Sequence, residues 1–95
     1  MNMEYEWDKN KAKTNQERHK VPFEGVHDFC WDDALIGEDT RKDYQETRYK
    51  ALGPIGDRLH LLVYTMREEI VRVISLRKAN KREFNYYVTQ IDSTY

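Results

Sequence analysis

Cysteine is nearly absent from this chain: Cys30 is the single one among 95 residues. An internal disulfide is therefore excluded, and a cytoplasmic setting is expected over a secreted one. Long apolar runs are missing too. The longest purely aliphatic and aromatic stretch runs from Leu61 to Tyr64, far short of a membrane span. The opening MNMEYEWDKNK has no signal-peptide core. Metal spacing is missing: His19, His27 and His60 are scattered, and neither H-E-x-x-H nor C-x-x-C occurs. So are a glycine-rich phosphate loop, a nucleophile elbow, and the RNA-recognition, zinc-finger and homeodomain signatures. No metal and no cofactor are expected. Any chemistry must come from basic side chains, imidazole, hydroxyl and carboxylate.

What is present is local charge. The net charge is only -1. From Asp8 to Lys20, however, five bases meet two acids, a net of +3. From Glu24 to Glu46, two bases meet eight acids, a net of -6. From Arg72 to Tyr87, five bases meet one acid, a net of +4. Most small proteins carry such segments as solvated surface. The functional reading gives the basic segments to an anionic partner and the acidic one to a basic partner.

Apolar residues, 39% of the chain, fall in short runs without repeats or linkers, so one domain over 1–95 is expected. Tyr5 and Trp7 flank Glu6 in a short strand. Asp8 suits an N-cap for a polar helix to about Lys20. In it Ala12, Asn15, Gln16 and His19 share one face, which is expected to turn inward. Pro22 with Phe23, Val26 and Cys30 at helical spacing predicts a second short helix. Strands follow at 34–38, 47–52, 58–66 and 70–76. They are joined by the polar turn DTRKDYQ, by a loop GPIGD over 53–57, and by a turn at Arg67 and Glu68. A last helix covers about 81–91, with Phe84, Tyr87, Val88 and Ile91 as its apolar stripe. Asn80 and Glu83 there form a capping box. Short connections make the four later strands an antiparallel meander with helices on one face, an α+β fold.

Those turns set a register. It puts Tyr49, Ala51, Leu59, Leu61, Val63, Ile70, Ile74 and Leu76 on a core face, with Arg72 as the exception. The other face holds Arg48, Lys50, Arg58, His60, Leu62, Tyr64, Val71, Val73, Ser75 and Arg77, with no acid. Cations gathered on one face call for an anion, and a phosphate chain fits. Each singled-out group also has a structural reading. His19 can be a hydrogen-bonded structural histidine, Glu83 a cap, and Trp7 and Tyr5 core.

Three segments resemble the BrnT toxin family. EYEWDKNKAKTNQERHKVPFE carries Trp7, Asp8, Lys11, Asn15, His19, Val21 and Phe23. ETRYKALG carries Glu46, Arg48, Leu52 and Gly53. RVISLRKANKRE carries Arg72, Ile74, Ser75, Arg77, Ala79 and Glu83. The segments come in the family's order from Tyr5 to Glu83. The chain departs in having Lys20 where the family often has Gly, Leu76 where it often has Ala, and a less basic C-terminal helix.

The resemblance implies a RelE-like fold: a small curved, mainly antiparallel sheet packed by two N-terminal helices and one C-terminal helix. It implies a ribonuclease toxin of a bacterial type II toxin–antitoxin system, cleaving RNA without a metal. The implied partner is an antitoxin with a ribbon-helix-helix DNA-binding segment, which neutralises the toxin; the complex represses its own promoter. On this reading Arg48 and Arg77 grip the phosphate, His19 is the acid or base, and Ser75 hydrogen-bonds substrate or a neighbouring side chain. Lys50, Lys78, Lys81 and Arg82 bind flanking RNA. The alternative is a non-catalytic module, a decayed toxin that binds protein or nucleic acid through the same surface.

Overall fold

The first turn of the chain is fixed by Asp8. Its Oδ2 accepts from the Lys11 amide at 3.0 Å, ending strand β1 (Glu4–Trp7) and opening helix α1 (Lys9–His19). The structure, a computed structural model, describes residues 3–41 and 44–92. After α1 come two 3₁₀ segments, Phe23–Asp28 and Trp31–Asp33, then β2 (Leu35–Glu38), β3 (Arg48–Ile55), β4 (Arg58–Arg67), β5 (Ile70–Lys78) and helix α2 (Lys81–Asp92). Lys42 and Asp43 of the expected polar turn lie outside the described residues. Among the described residues, no helix is long and apolar enough to cross a membrane.

The strands form one mixed sheet in the order β1-β5-β4-β3-β2. Strands β2 to β5 are the expected antiparallel meander, and β1 lies parallel to β5 at the edge. The class is α+β as expected, but three features differ. The helices do not share one face: Ala12 of α1 packs against the main core, whereas Tyr87 of α2 packs against the Leu52 cluster on the opposite face. The sheet is not curled. The expected second N-terminal helix is the 3₁₀ segment Phe23–Asp28, after which Phe29 is extended and bridges to Ile55. The Phe23 and Val26 spacing suits a 3₁₀ turn equally well, since its side chains eclipse at i and i+3.

The turns also differ. GPIGD is not a five-residue loop. Gly53, Pro54 and Ile55 pair with His60, Leu59 and Arg58, leaving Gly56 and Asp57 as the turn. Gly56 has φ +61°, suiting the first central position of a two-residue hairpin turn. Gly53 serves packing: a Cβ there would sit 2.8 Å from the Phe29 ring. The β4–β5 turn is Glu68 and Glu69, one residue later than expected. A register shift between Val63 and Tyr64 leaves Ile74 as an extra residue in β5.

Side chains therefore sort differently from the expected sets. Leu52 faces Leu61 rather than Arg58, and Tyr64 faces Val73 rather than Val71. The core face carries Tyr49, Ala51, Leu62, Tyr64, Val71, Val73 and Leu76, which pack with Val21, Phe23, Val26 and Phe29. Leu62, Val71, Val73 and Leu76 thus belong together, and Leu59, Leu61 and Val63 turn to the opposite face. There they form a smaller cluster with Leu52, approached by Ile74, Ala79 and Tyr87. Arg72 shares that opposite face, where it faces Thr65 and pairs with Glu6 of β1 at 3.6 Å. It is no exception in a core.

Candidate functional site

Arg48, Lys50, Ser75 and Arg77 do share one sheet face, although with Leu61 and Val63 rather than with His60, Leu62 and Tyr64. Two independent changes produce this. The β3–β4 register moved by an odd number of residues, and the β5 bulge reversed the alternation beyond Ile74. Arg48, Ser75 and Arg77 line a cleft of about 390 Å³ with Arg41, Tyr44 and the floor residues Leu61, Val63 and Ile74.

Arg48 enters from the start of β3. Its guanidinium carbon stacks 4.1 Å from the centre of the Tyr44 ring. Its Nε is buried without a hydrogen-bond partner among the described residues. A buried donor left unsatisfied costs about 1–3 kcal/mol, so this atom favours any acceptor that enters the cleft.

Arg77 is anchored. Nη1 and Nη2 donate to the two oxygens of Glu83, each at 2.8 Å, and Nη1 also donates to the Lys78 carbonyl at 3.2 Å. A guanidinium has five N–H donors, so two remain for a ligand. Glu83 is meanwhile the expected cap of α2: its Oε1 accepts from the Asn80 amide at 2.9 Å, and its amide donates to Asn80 Oδ1 at 2.8 Å. The Arg77 hydrogen bonds, opposed by burial, hold the Glu83 carboxyl below its ordinary value. Glu83 thus links helix cap to cleft.

Ser75 donates from Oγ to Asn15 Oδ1 at 3.4 Å. Beyond it lies a second hollow of about 310 Å³ that shares Ile74 and Ser75 with the cleft and is lined by His19, Asn15 and Arg18. His19 is half-buried there. Burial first, then the charges of Arg18 and Arg77, push its imidazole below the usual value. The neutral ring is favoured near pH 7, which suits taking a proton. Of its expected face-mates, Asn15 is buried and Ala12 partly so, while Gln16 is exposed.

The remaining expected cations are dispersed. Lys50 lines a neighbouring hollow of about 270 Å³ with Arg77, Glu83 and Tyr86. Lys78 pairs with His60 and so points to the core-face side, away from Arg77. Lys81 lines a separate hollow with Asp57 and Arg58, and Arg82 is exposed on the first turn of α2.

The sequence reading missed Asp39, Arg41 and Tyr44. Asp39 is 2% exposed. It accepts from Arg41 Nε at 2.8 Å, Arg41 Nη2 at 2.7 Å, the Arg41 amide at 3.3 Å and Tyr44 Oη at 3.3 Å. The Arg41 hydrogen bond holds its carboxyl far below the ordinary range. This carboxylate folds the segment before β3 so that Arg41 and Tyr44 reach the cleft. The D-x-R spacing, with Asp bonding the amide two residues on, is the local signal for such a turn.

The fold and cleft are those of a small α+β protein with guanidinium groups gathered over an apolar floor. The chain belongs to the family described as ribonuclease toxin, BrnT, of type II toxin–antitoxin systems, whose family model matches residues 7–83. No curated protein matches it. The family makes a ribonuclease the activity class and an antitoxin the partner.

Proposed function

We propose that this chain is an endoribonuclease toxin that cleaves RNA by attack of the adjacent 2′-hydroxyl, without a metal, in the cleft between Arg48 and Arg77. The observation that carries this reading is the cleft itself: among the described residues, Arg48 has a buried unpartnered Nε and Arg77 has two uncommitted donors, and the two flank one site beside Ser75.

Neutral His19 takes the 2′-hydroxyl proton. The 2′-oxygen bonds to phosphorus while the bond to the 5′-oxygen breaks, and the departing oxygen takes a proton from water in the open cleft. Arg48 and Arg77 stabilise the charge gathering on the phosphoryl oxygens, and Ser75 holds the nucleotide. Each well-placed donor contributes roughly 3–4 kcal/mol to such a transition state, and the base about 10²–10⁴-fold. Lys50 takes a flanking phosphate, and Lys78, Lys81 and Arg82 take more distant ones, which makes binding salt-dependent. The antitoxin, built on a ribbon-helix-helix segment, neutralises the toxin by binding.

Purified protein and a defined RNA in the presence of a chelator test this reading. Arg48→Ala and Arg77→Ala are each expected to lower the cleavage rate about 10²–10³-fold. Wild-type cleavage by either would remove that residue from the mechanism. The pH profile should rise as His19 loses its proton, with its midpoint below the usual histidine value. A second reading, a non-catalytic binding module, is favoured by one observation: Phe84 and Val88 of α2 are 52% and 38% exposed. Expression alone in bacteria separates the two. Growth arrest relieved by the neighbouring antitoxin gene supports the nuclease, and absence of both arrest and cleavage supports the module.

A further inference from the structure

We propose that Asn15 is a positioning residue for this site: its side-chain amide holds the β5 bulge that turns Ser75 and Arg77 into the cleft. The inference rests on the ribonuclease reading for its consequence and on the backbone geometry for its cause.

Strand β5 opposes β4 residue for residue up to Val73 and Tyr64, and resumes with Ser75 opposite Val63. Before the bulge, Arg72 lies on the cleft face. A regular strand would continue by putting Leu76 there and sending Ser75 and Arg77 to the core face. The extra residue, Ile74, reverses this. It seats Leu76 in the core at 0% exposure and brings Ser75 and Arg77 into the cleft.

The bulge lies where β5 loses its outer neighbour. Pairing with β1 ends at Trp7 and Val73, so no strand meets the outward polar groups of Leu76. Asn15 meets them instead. Its Nδ2 donates to the Leu76 carbonyl at 2.7 Å and to the Val21 carbonyl at 3.1 Å. Its Oδ1 accepts from the Leu76 amide at 3.3 Å and from Ser75 Oγ at 3.4 Å. A carboxamide offers donors and an acceptor together, so this one side chain replaces the missing strand. The same oxygen ties down the Ser75 hydroxyl, which lines the hollow beside His19. Asn15 touches no reacting atom.

The test is steady-state cleavage of a defined RNA by the full chain, at 25 °C where each variant is folded. Asn15→Ala is expected to lower kcat roughly 30- to 100-fold with KM changed less than about threefold, the scale of a misplaced catalytic group. Asn15→Asp keeps the acceptor oxygen but sets a buried carboxylate oxygen against the Val21 and Leu76 carbonyls, and is expected to lose at least as much as Asn15→Ala. Val26→Ala, a core substitution away from the cleft, is the control for lost stability and keeps kcat. In an Arg77→Ala background, Asn15→Ala should cost clearly less than in the wild-type background, because one of the two groups it positions, Arg77, is gone while Ser75 remains. An equal loss in both backgrounds, or an unchanged kcat, overturns the proposal. Amide hydrogen exchange adds a readout independent of cleavage. The Leu76 amide should exchange at least about tenfold faster in Asn15→Ala while amides of β3 and β4 keep their protection; unchanged protection at Leu76 overturns it. A wild-type chain that fails to cleave RNA while Leu76 responds as expected contradicts the ribonuclease reading, not the clamp.

Discussion

The two helices of this molecule invert what their sequences promise. Helix α1, KNKAKTNQERH, has Ala12 as its single apolar side chain, yet it is tied into the fold through buried Asn15. Helix α2, KREFNYYVTQID, has a clear apolar stripe, yet none of its described residues is buried. The sheet explains the difference. Its core face is already covered by the 3₁₀ segments, with Phe23 and Val26 at 0% exposure. The other face carries the cleft and offers only a small apolar cluster, which Tyr87 approaches. Polar contacts hold α2 there: the Glu83–Arg77 bridge, and a hydrogen bond from Tyr87 Oη to the Asp33 carbonyl at 2.6 Å. An amphipathic pattern shows which side of a helix prefers burial, not whether the fold has surface left to bury it.

Substitutions on the two sides should rank accordingly. Phe23→Ala, in the main core, is expected to cost about 3–5 kcal/mol in urea unfolding; a loss below 1 kcal/mol would break the contrast. Asn15→Ala leaves the Leu76 amide and two carbonyls unsatisfied and should cost about 1–3 kcal/mol. Glu83→Gln should cost about 1 kcal/mol near neutral pH. Glu83 has a folded pKa below its unfolded value, so its contribution is fully present above the unfolded value and is lost as pH falls through the depressed one. The stability gap between Glu83→Gln and wild type should therefore close on acidification; a gap independent of pH would show that the carboxylate charge is not what holds α2. Phe84→Ser should change stability by less than about 0.5 kcal/mol. A larger loss would mean that α2 packs more firmly than its exposure indicates.

Much of this was legible in the sequence. The meander, the Asp8 cap, and the Asn80–Glu83 box followed from local chemistry. So did the grouping of Arg48, Lys50, Ser75 and Arg77, but through a register that needed correction. What the local reading could not weigh was long-range contact. Gly53 and Pro54 carry turn chemistry, but both pair with β4, and position 53 is kept free of a Cβ by the Phe29 ring. The bulge left a trace in RVISLRK: Val71 and Val73 keep one phase, and Leu76 reaches the same core only if one residue is skipped. Ile74, also apolar, masked that slip. Asp39 was hidden in an acidic run: its D-x-R signal is short, and its burial and four hydrogen bonds, which set it apart from exposed Glu38 and Glu46, depend on the folded chain.

The most direct measurement of the central claim is the product of RNA cleavage under a chelator by wild type, Arg48→Ala and Arg77→Ala. Attack by the 2′-hydroxyl predicts fragments ending in a 2′,3′-cyclic phosphate with a 5′-hydroxyl on the other side, formed by wild type and lost about 10²–10³-fold in each variant. Cleavage that stops with the chelator, that leaves 5′-phosphates, or that persists unchanged in both variants would contradict the account.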